Sequence, residues 1–190
     1  MTSSDRQSAE PAYADRIFRS GGGIVGGVLL LALGAWLGGD ALIRGEGRVP
    51  WLALAAMLFA MPLVVAFTLR PAVFANDDRL RVRNPFRTIT LPWASVDGLR
   101  SAYTTEAYVR DGVKYQLWAI PVSIRARKKA RKPGADRAPS DQAVDELNEI
   151  AESHAQSPGA QGEPEVRWAY EVLVPCAVGA VLLAALLLFG

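Results

Sequence analysis

The chain has 190 residues, 51% of them hydrophobic, and a net charge of +2. The length suits one modest soluble domain or a few membrane helices with a small domain. So small a net charge does not indicate a nucleic-acid-binding protein. A single cysteine, Cys176, excludes an intramolecular disulfide and a cysteine-based metal site, and any Ser-His or Cys-His site would depend on the single histidine, His154.

The first third of the chain predicts a polar tail followed by a membrane hairpin. Residues 1–20 are polar and predict a disordered N-terminal tail. Residues 21–39 and 50–69 carry no charged side chain, and a helix of this length crosses a hydrocarbon core of about 30 Å. We therefore predict a transmembrane hairpin over 21–70. A cleaved secretory signal is the weaker interpretation, because the first apolar run is long and a second one follows it.

A third span is predicted over 168–190. Trp168 and Tyr170 stand just before its apolar run, where an aromatic belt is expected at a membrane surface. The alternative is that all three apolar runs are buried helices of a soluble domain. That alternative is disfavoured because the remaining polar residues could not cover so much apolar surface.

The distribution of lysine and arginine near the spans predicts the orientation of the chain. Basic residues are found in the N-terminal tail, in the region after the second span and on the approach to the third span. This pattern predicts a multi-pass cell-membrane protein with its N-terminus and central domain in the cytoplasm and its C-terminus at the outer face. Arg44 and Arg48, in the connector between the first two spans, count against this orientation.

The central region, 71–157, begins as a series of short strands. Strict alternation of polar and apolar residues is typical of half-buried strands, and Asp111-Gly112 is a strong hairpin signal. Runs of this kind are 79–83, 88–93 and 113–122. They predict an antiparallel meander, a curved sheet or a small barrel, with Trp93 and Trp118 facing its core.

A basic segment and an amphipathic helix complete the central region. We predict a loop over 124–139 and a helix over 140–155, which Ser140 would cap and whose apolar stripe includes Val144 and Leu147. The glycine- and proline-containing segment 158–167 predicts a linker to the third span.

The central stretch resembles the bacterial PH-like domain family typified by the low-molecular-weight protein antigen of mycobacteria, whose members are actinobacterial membrane proteins. The residues that carry the likeness are Arg70-Pro71, the run from Leu80 to Arg87, Leu91-Pro92-Trp93 with Val96, and the run from Tyr115 to Ala119. The resemblance implies a PH-like curved antiparallel sheet closed by one C-terminal amphipathic helix. The helix over 140–155 would be that element, and the basic loop before it departs from the compact pattern.

The basic run is the first candidate site, since six of the eight residues from 125 to 132 are cationic. They are Arg125, Arg127, Lys128, Lys129, Arg131 and Lys132. Near an anionic leaflet each basic residue gains about 1 kcal/mol, so anionic lipid is a candidate ligand. The alternative is a solvated loop that helps to fix the topology. Nucleic acid is not expected, because no aromatic side chain interrupts the charge.

Two other polar features have simpler interpretations. Arg79, Arg81 and Arg83 share one strand face and could receive a phosphate group. Basic residues around the first hairpin serve the phosphoinositide-binding members of the wider PH superfamily. Asn76-Asp77-Asp78 disfavours an anion at that hairpin, so a solvated strand face is the preferred interpretation. His154 lies on or near the apolar stripe of its helix, which predicts a packed histidine and not a catalytic one.

Small residues at four-residue spacing form candidate helix-packing faces, because such faces let helices approach closely. Those faces contain Gly22, Gly26, Gly34 and Gly38 in the first span and Cys176, Ala180 and Ala184 in the third. We expect them to pack the first span against the third, or one protomer against another. The alternative is exposure to lipid.

No metalloprotease, phosphate-loop or nucleotide-binding motif occurs in the sequence, so we predict neither catalysis nor a cofactor or metal. The preferred hypothesis is a membrane-anchored PH-like binding module. It would present its cytoplasmic domain to a protein partner, by strand addition or helix docking, or to the anionic membrane surface. The alternative is a structural or assembly subunit of a membrane complex whose spans form the interaction surface.

Overall fold

The computed structural model describes residues 16–130 and 135–189. The predicted tail up to residue 15 lies outside this part of the chain, as do Arg131 and Lys132 of the basic run. In chain order the elements are β1 (Arg16–Phe18), α1 (Gly21–Arg44), α2 (Val49–Val64, prolonged by a π-helical turn over Val65–Leu69), β2 (Ala72–Ala75), β3 (Arg79–Arg83), β4 (Arg87–Pro92), β5 (Val96–Ser101), β6 (Thr105–Val109), β7 (Lys114–Gln116), α3 (Ile124–Ala130), α4 (Pro139–His154), β8 (Glu165–Trp168) and α5 (Tyr170–Phe189).

Three of the described helices, α1, α2 with its π-helical turn, and α5, are long and apolar enough to cross a membrane. In each helix, 17% or less of the most apolar window is buried within the protein, so most of these side chains are at least partly uncovered by the rest of the chain. The helices are therefore compatible with membrane insertion. The first helix continues past the predicted residue 39 to Arg44, whose guanidinium pairs with Asp40 one turn earlier at 3.0 Å.

The strands form two antiparallel sheets. The larger sheet has the order β1-β2-β3-β4-β8, and the smaller has the order β5-β6-β7. The hairpin between β6 and β7 turns at Gly112, whose φ of 85° lies in the left-handed region that favours glycine. β1 lies in the segment predicted to be a tail, and β8 lies mostly in the segment predicted to be a linker, so neither strand was predicted. They pair with the two edges of the β2-β3-β4 meander, which a local alternation pattern does not reveal.

One hydrophobic core joins both sheets and α4. Leu80, Leu91 and Trp93 are completely buried in it, together with Leu147 of the helix. The prediction that Trp93 faces the core is confirmed. The same prediction for Trp118 is wrong, because Tyr115 and Leu117 are the residues that face the core, one position out of phase with the predicted alternation. Trp118 is 44% exposed and lies against the ring of Phe67 at the end of the second span, with 5.5 Å between the ring centroids.

The second span contacts both of the others, rather than the first packing on the third as expected. The buried face of α5 consists of Val172, Cys176 and Gly179, whereas Ala180 and Ala184 are exposed. At Gly179 the two helices approach so closely that a Cβ would lie 2.5 Å from the backbone nitrogen of Phe59. The span packing therefore depends on Gly179, a position outside the small-residue face that the sequence suggested.

Replacing Gly179 with leucine should separate α5 from the second span, because there is no room for a side chain between the backbones. We expect a loss of stability of about 1–3 kcal/mol, as for other overpacked sites. Thermal unfolding of the full chain in a lipid nanodisc measures it. Ala180→Leu, one residue further on the exposed side, is the matched control and should change stability by less than about 0.5 kcal/mol. Equal effects of the two variants would contradict the assigned packing face.

Candidate functional site

The predicted basic loop begins as a short helix, α3, over Ile124–Ala130. Arginine, lysine and alanine favour helices, and the hydroxyl of Ser123 accepts a hydrogen bond from the Ala126 N–H at 3.2 Å at its start. Three of its four basic residues, Arg127, Lys128 and Lys129, lie in the last turn, where the helix dipole favours positive charge. The prediction of a loop is therefore wrong for its first part.

The described cations of α3 divide into two groups. Arg127 points inward and donates hydrogen bonds to the carbonyl of Ala102 at 2.5 Å, the carbonyl of Ser101 at 2.6 Å and the carboxylate of Asp141 at 2.8 Å. The exposed group consists of Arg125, Lys128 and Lys129. Arg127 thus holds α3 against the small sheet and α4, and the exposed group remains available for a ligand.

The segment that contains α3 starts close to the first span. Pro121 and Pro139, on either side of it, line one cavity of about 420 Å³ together with Ser20 and Gly21. Ile124 follows Pro121 by three residues and so lies within about 10 Å of it. This places the start of α3 near the domain-side end of α1.

Apolar side chains accompany the exposed cations of α3. Tyr103 is 97% exposed and Ile124 is 70% exposed, and both line a shallow cavity with Lys128. Exposed aromatic and aliphatic groups beside lysine and arginine are typical of surfaces that lie at a membrane interface.

A second basic feature lies on the outer face of the larger sheet, where four arginines and two threonines line a cleft of about 540 Å³. They are Arg70, Arg81, Arg83, Arg167, Thr88 and Thr90, and the lining is completed by Glu165, Glu171 and Trp168. Arg81 and Arg83 were predicted to lie with Arg79 on a solvated strand face, and Arg79 is exposed outside the cleft. The cleft was not predicted, because Arg167 reaches it through the pairing of β8 with β4. The alternation of Glu165, Val166, Arg167 and Trp168 was the available signal.

Arg70 connects the second span to the cleft. Its guanidinium donates to the carbonyl of Asn84 at 3.1 Å, to the hydroxyl of Thr88 at 3.2 Å and to the carboxylate of Glu171 at 2.5 Å. Only 15% of the Arg70 side chain is exposed, whereas Glu171 is 63% exposed, so the bonds to Asn84 and Thr88 are more shielded from water than the bond to Glu171. Asn84 in turn is buried and donates to the carbonyl of Gln116 at 2.8 Å.

The other polar candidates show no catalytic arrangement. His154 is partly buried, with its Nε2 3.4 Å from a carboxylate oxygen of Asp77 and its Nδ1 3.0 Å from the carbonyl of Ile150. Within 16–130 and 135–189, no group of three or more histidine, cysteine, aspartate or glutamate side chains could hold a metal ion.

Residues 70–150 match the family model described as the bacterial PH domain. The match supports a bacterial PH-domain protein, in which the domain runs from Arg70 into α4. It includes the basic helix α3 and two of the strands that line the cleft, β3 and β4, but neither β1 nor β8. No curated protein and no solved structure matches the chain.

Arg127→Ala should release α3 from the rest of the domain, because it removes four charge-assisted hydrogen bonds. We expect a loss of about 1–2 kcal/mol of stability, since the site is partly exposed, and faster amide exchange over 124–130. Thermal unfolding and hydrogen–deuterium exchange of the full chain measure the two effects. Lys128→Ala, a neighbouring cation on the exposed side, should leave both unchanged; an equal loss there would refute the anchoring role of Arg127.

The same contact should depend on pH. Burial acts to raise the pKa of Asp141, but the hydrogen bond and charge of Arg127 outweigh it, so the pKa lies below its ordinary value. The ionised carboxylate therefore stabilises the folded state above the ordinary pKa of about 3.9, and this contribution is lost as the pH falls through the lowered pKa. In Arg127→Ala the acid-induced rise in exchange over 124–130 should be smaller.

Proposed function

We propose that this chain is a membrane-anchored PH-like module that acts by binding, without catalysis, at the anionic surface of the membrane that anchors it. The observation that carries the proposal is the exposed cationic side of α3, next to the domain-side end of an apolar helix. The domain follows one such helix directly and precedes another, so the membrane surface is always within its reach.

The charge on α3 is sufficient for a measurable attraction. Its three exposed cations, Arg125, Lys128 and Lys129, would together gain about 3 kcal/mol near an anionic leaflet, which corresponds to a factor of about 100 in the equilibrium constant. Insertion of Ile124 and Tyr103 into the headgroup region would add apolar burial. Arg127 would not contribute, because its hydrogen bonds within the domain occupy it.

A protein partner that adds a strand to the domain is less favoured. β1 covers one edge of the β2-β3-β4 meander and β8 covers the other, so neither edge of this meander is open to a peptide. A partner could still dock beside α4. Binding to the membrane surface, unlike binding to a protein partner, requires no additional molecule.

The proposed topology and domain architecture follow the distribution of basic residues and the resemblance to the bacterial PH-like family. In this proposal the N-terminus and the domain lie in the cytoplasm and the C-terminus lies at the outer face. The domain is a PH-like curved sheet closed by α4, related to the mycobacterial antigen family. Val144, Leu147 and Ala151 of α4, which are buried against the core, support the closing role of this helix.

Hydrogen–deuterium exchange of the full chain in nanodiscs tests the surface contact. With about 30% anionic lipid, amides over 124–130 should exchange more slowly than in neutral nanodiscs, and salt should abolish the difference because surface charge is screened within about 10 Å at 0.1 M. Arg125→Gln/Lys128→Gln/Lys129→Gln should remove this protection.

Arg110→Gln provides the matched control. Arg110 is an exposed cation beside the β6–β7 turn, at the other end of that hairpin from Gln116 and Trp118. Loss of its charge should leave the protection of α3 intact. If anionic and neutral nanodiscs give the same exchange over 124–130 in the unmodified chain, the surface-binding proposal is wrong.

A second candidate function, a structural or assembly subunit, is supported by the open faces of α1. Gly22, Gly26 and Gly34 have no atom within 4 Å of the position where a Cβ would lie, whereas Gly38 packs against Met57. A face of small residues that is not used within the chain is available for another helix.

Gly26→Leu should break self-association or complex formation through this face, measured by crosslinking of the full chain in native membranes. Gly39→Leu is the control, since Gly39 also has open space but lies about 140° around the helix from Gly26. A crosslinking pattern that survives Gly26→Leu, or that is equally lost in both variants, would exclude assembly through the Gly22 and Gly26 face.

A further inference from the structure

The cleft on the larger sheet holds more positive charge than its own ion pairs use. Arg81 and Arg83 have no carboxylate within 4.0 Å among the described residues. The guanidinium of Arg83 instead lies 5.0 Å above the ring of Phe74, which orients it. The other two arginines of the cleft each pair with a glutamate. Two unpaired cations in a recess attract an anion.

The first row of the cleft has the dimensions of a phosphate site. Strand register places Arg83 opposite Thr88 and Thr88 opposite Arg167. Neighbouring strands lie about 4.8 Å apart, so the two arginines flank the threonine across about 10 Å of backbone. Thr88 already accepts a hydrogen bond from Arg70, so its own hydroxyl hydrogen is free to be donated. Guanidinium groups bind phosphate in a bidentate manner.

The second row has a different character. Register places Arg81 opposite Thr90 and Thr90 opposite Glu165. One cation, one hydroxyl and one carboxylate can donate to and accept from the hydroxyl groups of a ligand. The carboxylate would repel a second phosphate. The row therefore suits an uncharged, hydroxyl-bearing group attached to the phosphate held by the first row.

The position of the cleft selects a lipid as the source of the phosphate. Arg70 directly follows the second span, and Arg167 stands three residues before α5 begins at Tyr170. The first row is therefore level with the domain-side ends of the apolar helices. The second row is two residues further along each strand, about 7 Å from the first. A headgroup that extends from the interface would meet the two rows in this order.

We infer that the cleft binds the headgroup of an anionic phospholipid that carries one phosphodiester and free hydroxyls. The inference rests on the proposed membrane anchoring but uses none of the residues of α3. The cleft also lies at the opposite end of β3 from the turn at Asn76–Asp78, where the acidic side chains disfavour an anion.

Native mass spectrometry of the full chain, released from detergent after titration with phosphatidylglycerol, tests the inference. The unmodified chain should retain one phosphatidylglycerol, and Arg81→Gln/Arg83→Gln should bind it at least tenfold more weakly. Arg79→Gln is the matched control, because Arg79 is on the same strand face but outside the cleft. Phosphatidylcholine, whose zwitterionic headgroup has no hydroxyls and ends in a cationic choline, should bind at least tenfold more weakly than phosphatidylglycerol.

Equal retention by the unmodified chain and Arg81→Gln/Arg83→Gln would overturn the inference. So would equal retention of phosphatidylcholine, or binding of inorganic phosphate without binding of the lipid. If the double variant fails to fold, as judged by its unfolding midpoint, the variant Arg167→Gln tests the inference instead. Its side chain is 75% exposed on an edge strand, and at least threefold weaker binding is expected. Amide exchange over 124–130 is a separate readout, so failure of the surface contact and failure of the cleft are distinguishable.

Discussion

The three bonds of Arg70 are the interaction on which the architecture depends. One guanidinium joins the end of the second span to the β3–β4 turn, to β4 and to the first turn of α5. Because it is only 15% exposed, its charge must remain paired with Glu171 or with the carbonyl and hydroxyl that it contacts. The π-helical turn before it brings Arg70 into place, with its own N–H bonded to the carbonyl of Val65 at 2.9 Å. The domain is therefore attached to the helices through a shielded polar junction, and not through a flexible linker.

Local patterns in the sequence predicted most of the elements but few of the contacts between them. The apolar runs, the alternation in β3 and β4, and the stripe of α4 are periodic, so the spans, two strands and a helix could be predicted. The edge strands could not, because three or four residues carry too little pattern and their partners are distant along the chain. Trp118 was misplaced for a related reason: which face of β7 points inward is set by the pairing of Tyr115 with the buried Ala107 of β6, a contact that local alternation does not reveal.

The candidate sites were predicted unevenly for the same reason. A run of cations is visible in the sequence, but Arg127 is distinguished from its neighbours only by its contacts with Ser101 and Asp141. The cleft is assembled from a span end, two strands of the meander and an edge strand, so no continuous stretch contains it. Helix α3 and the cleft, the two basic features, both lie near the domain-side ends of the apolar helices. The acidic Asp77 and Asp78 lie at the opposite end of β3 from the cleft. Charge is therefore distributed asymmetrically over the domain, which the small net charge of the whole chain does not show.

The two edge strands, β1 and β8, couple completion of the sheet to the direction in which the apolar helices run. β1 precedes the first apolar helix and β8 precedes the last, and both belong to the same sheet as the strands between them. A chain in which α1 entered the bilayer in the opposite direction would leave residues 16–18 on the wrong side and expose the edge of β2. The contact between Arg16 and Glu146 of α4 would be lost as well. In the proposed membrane topology, the direction in which α1 enters the bilayer is therefore coupled to completion of the sheet, because the opposite direction leaves an unpaired edge strand.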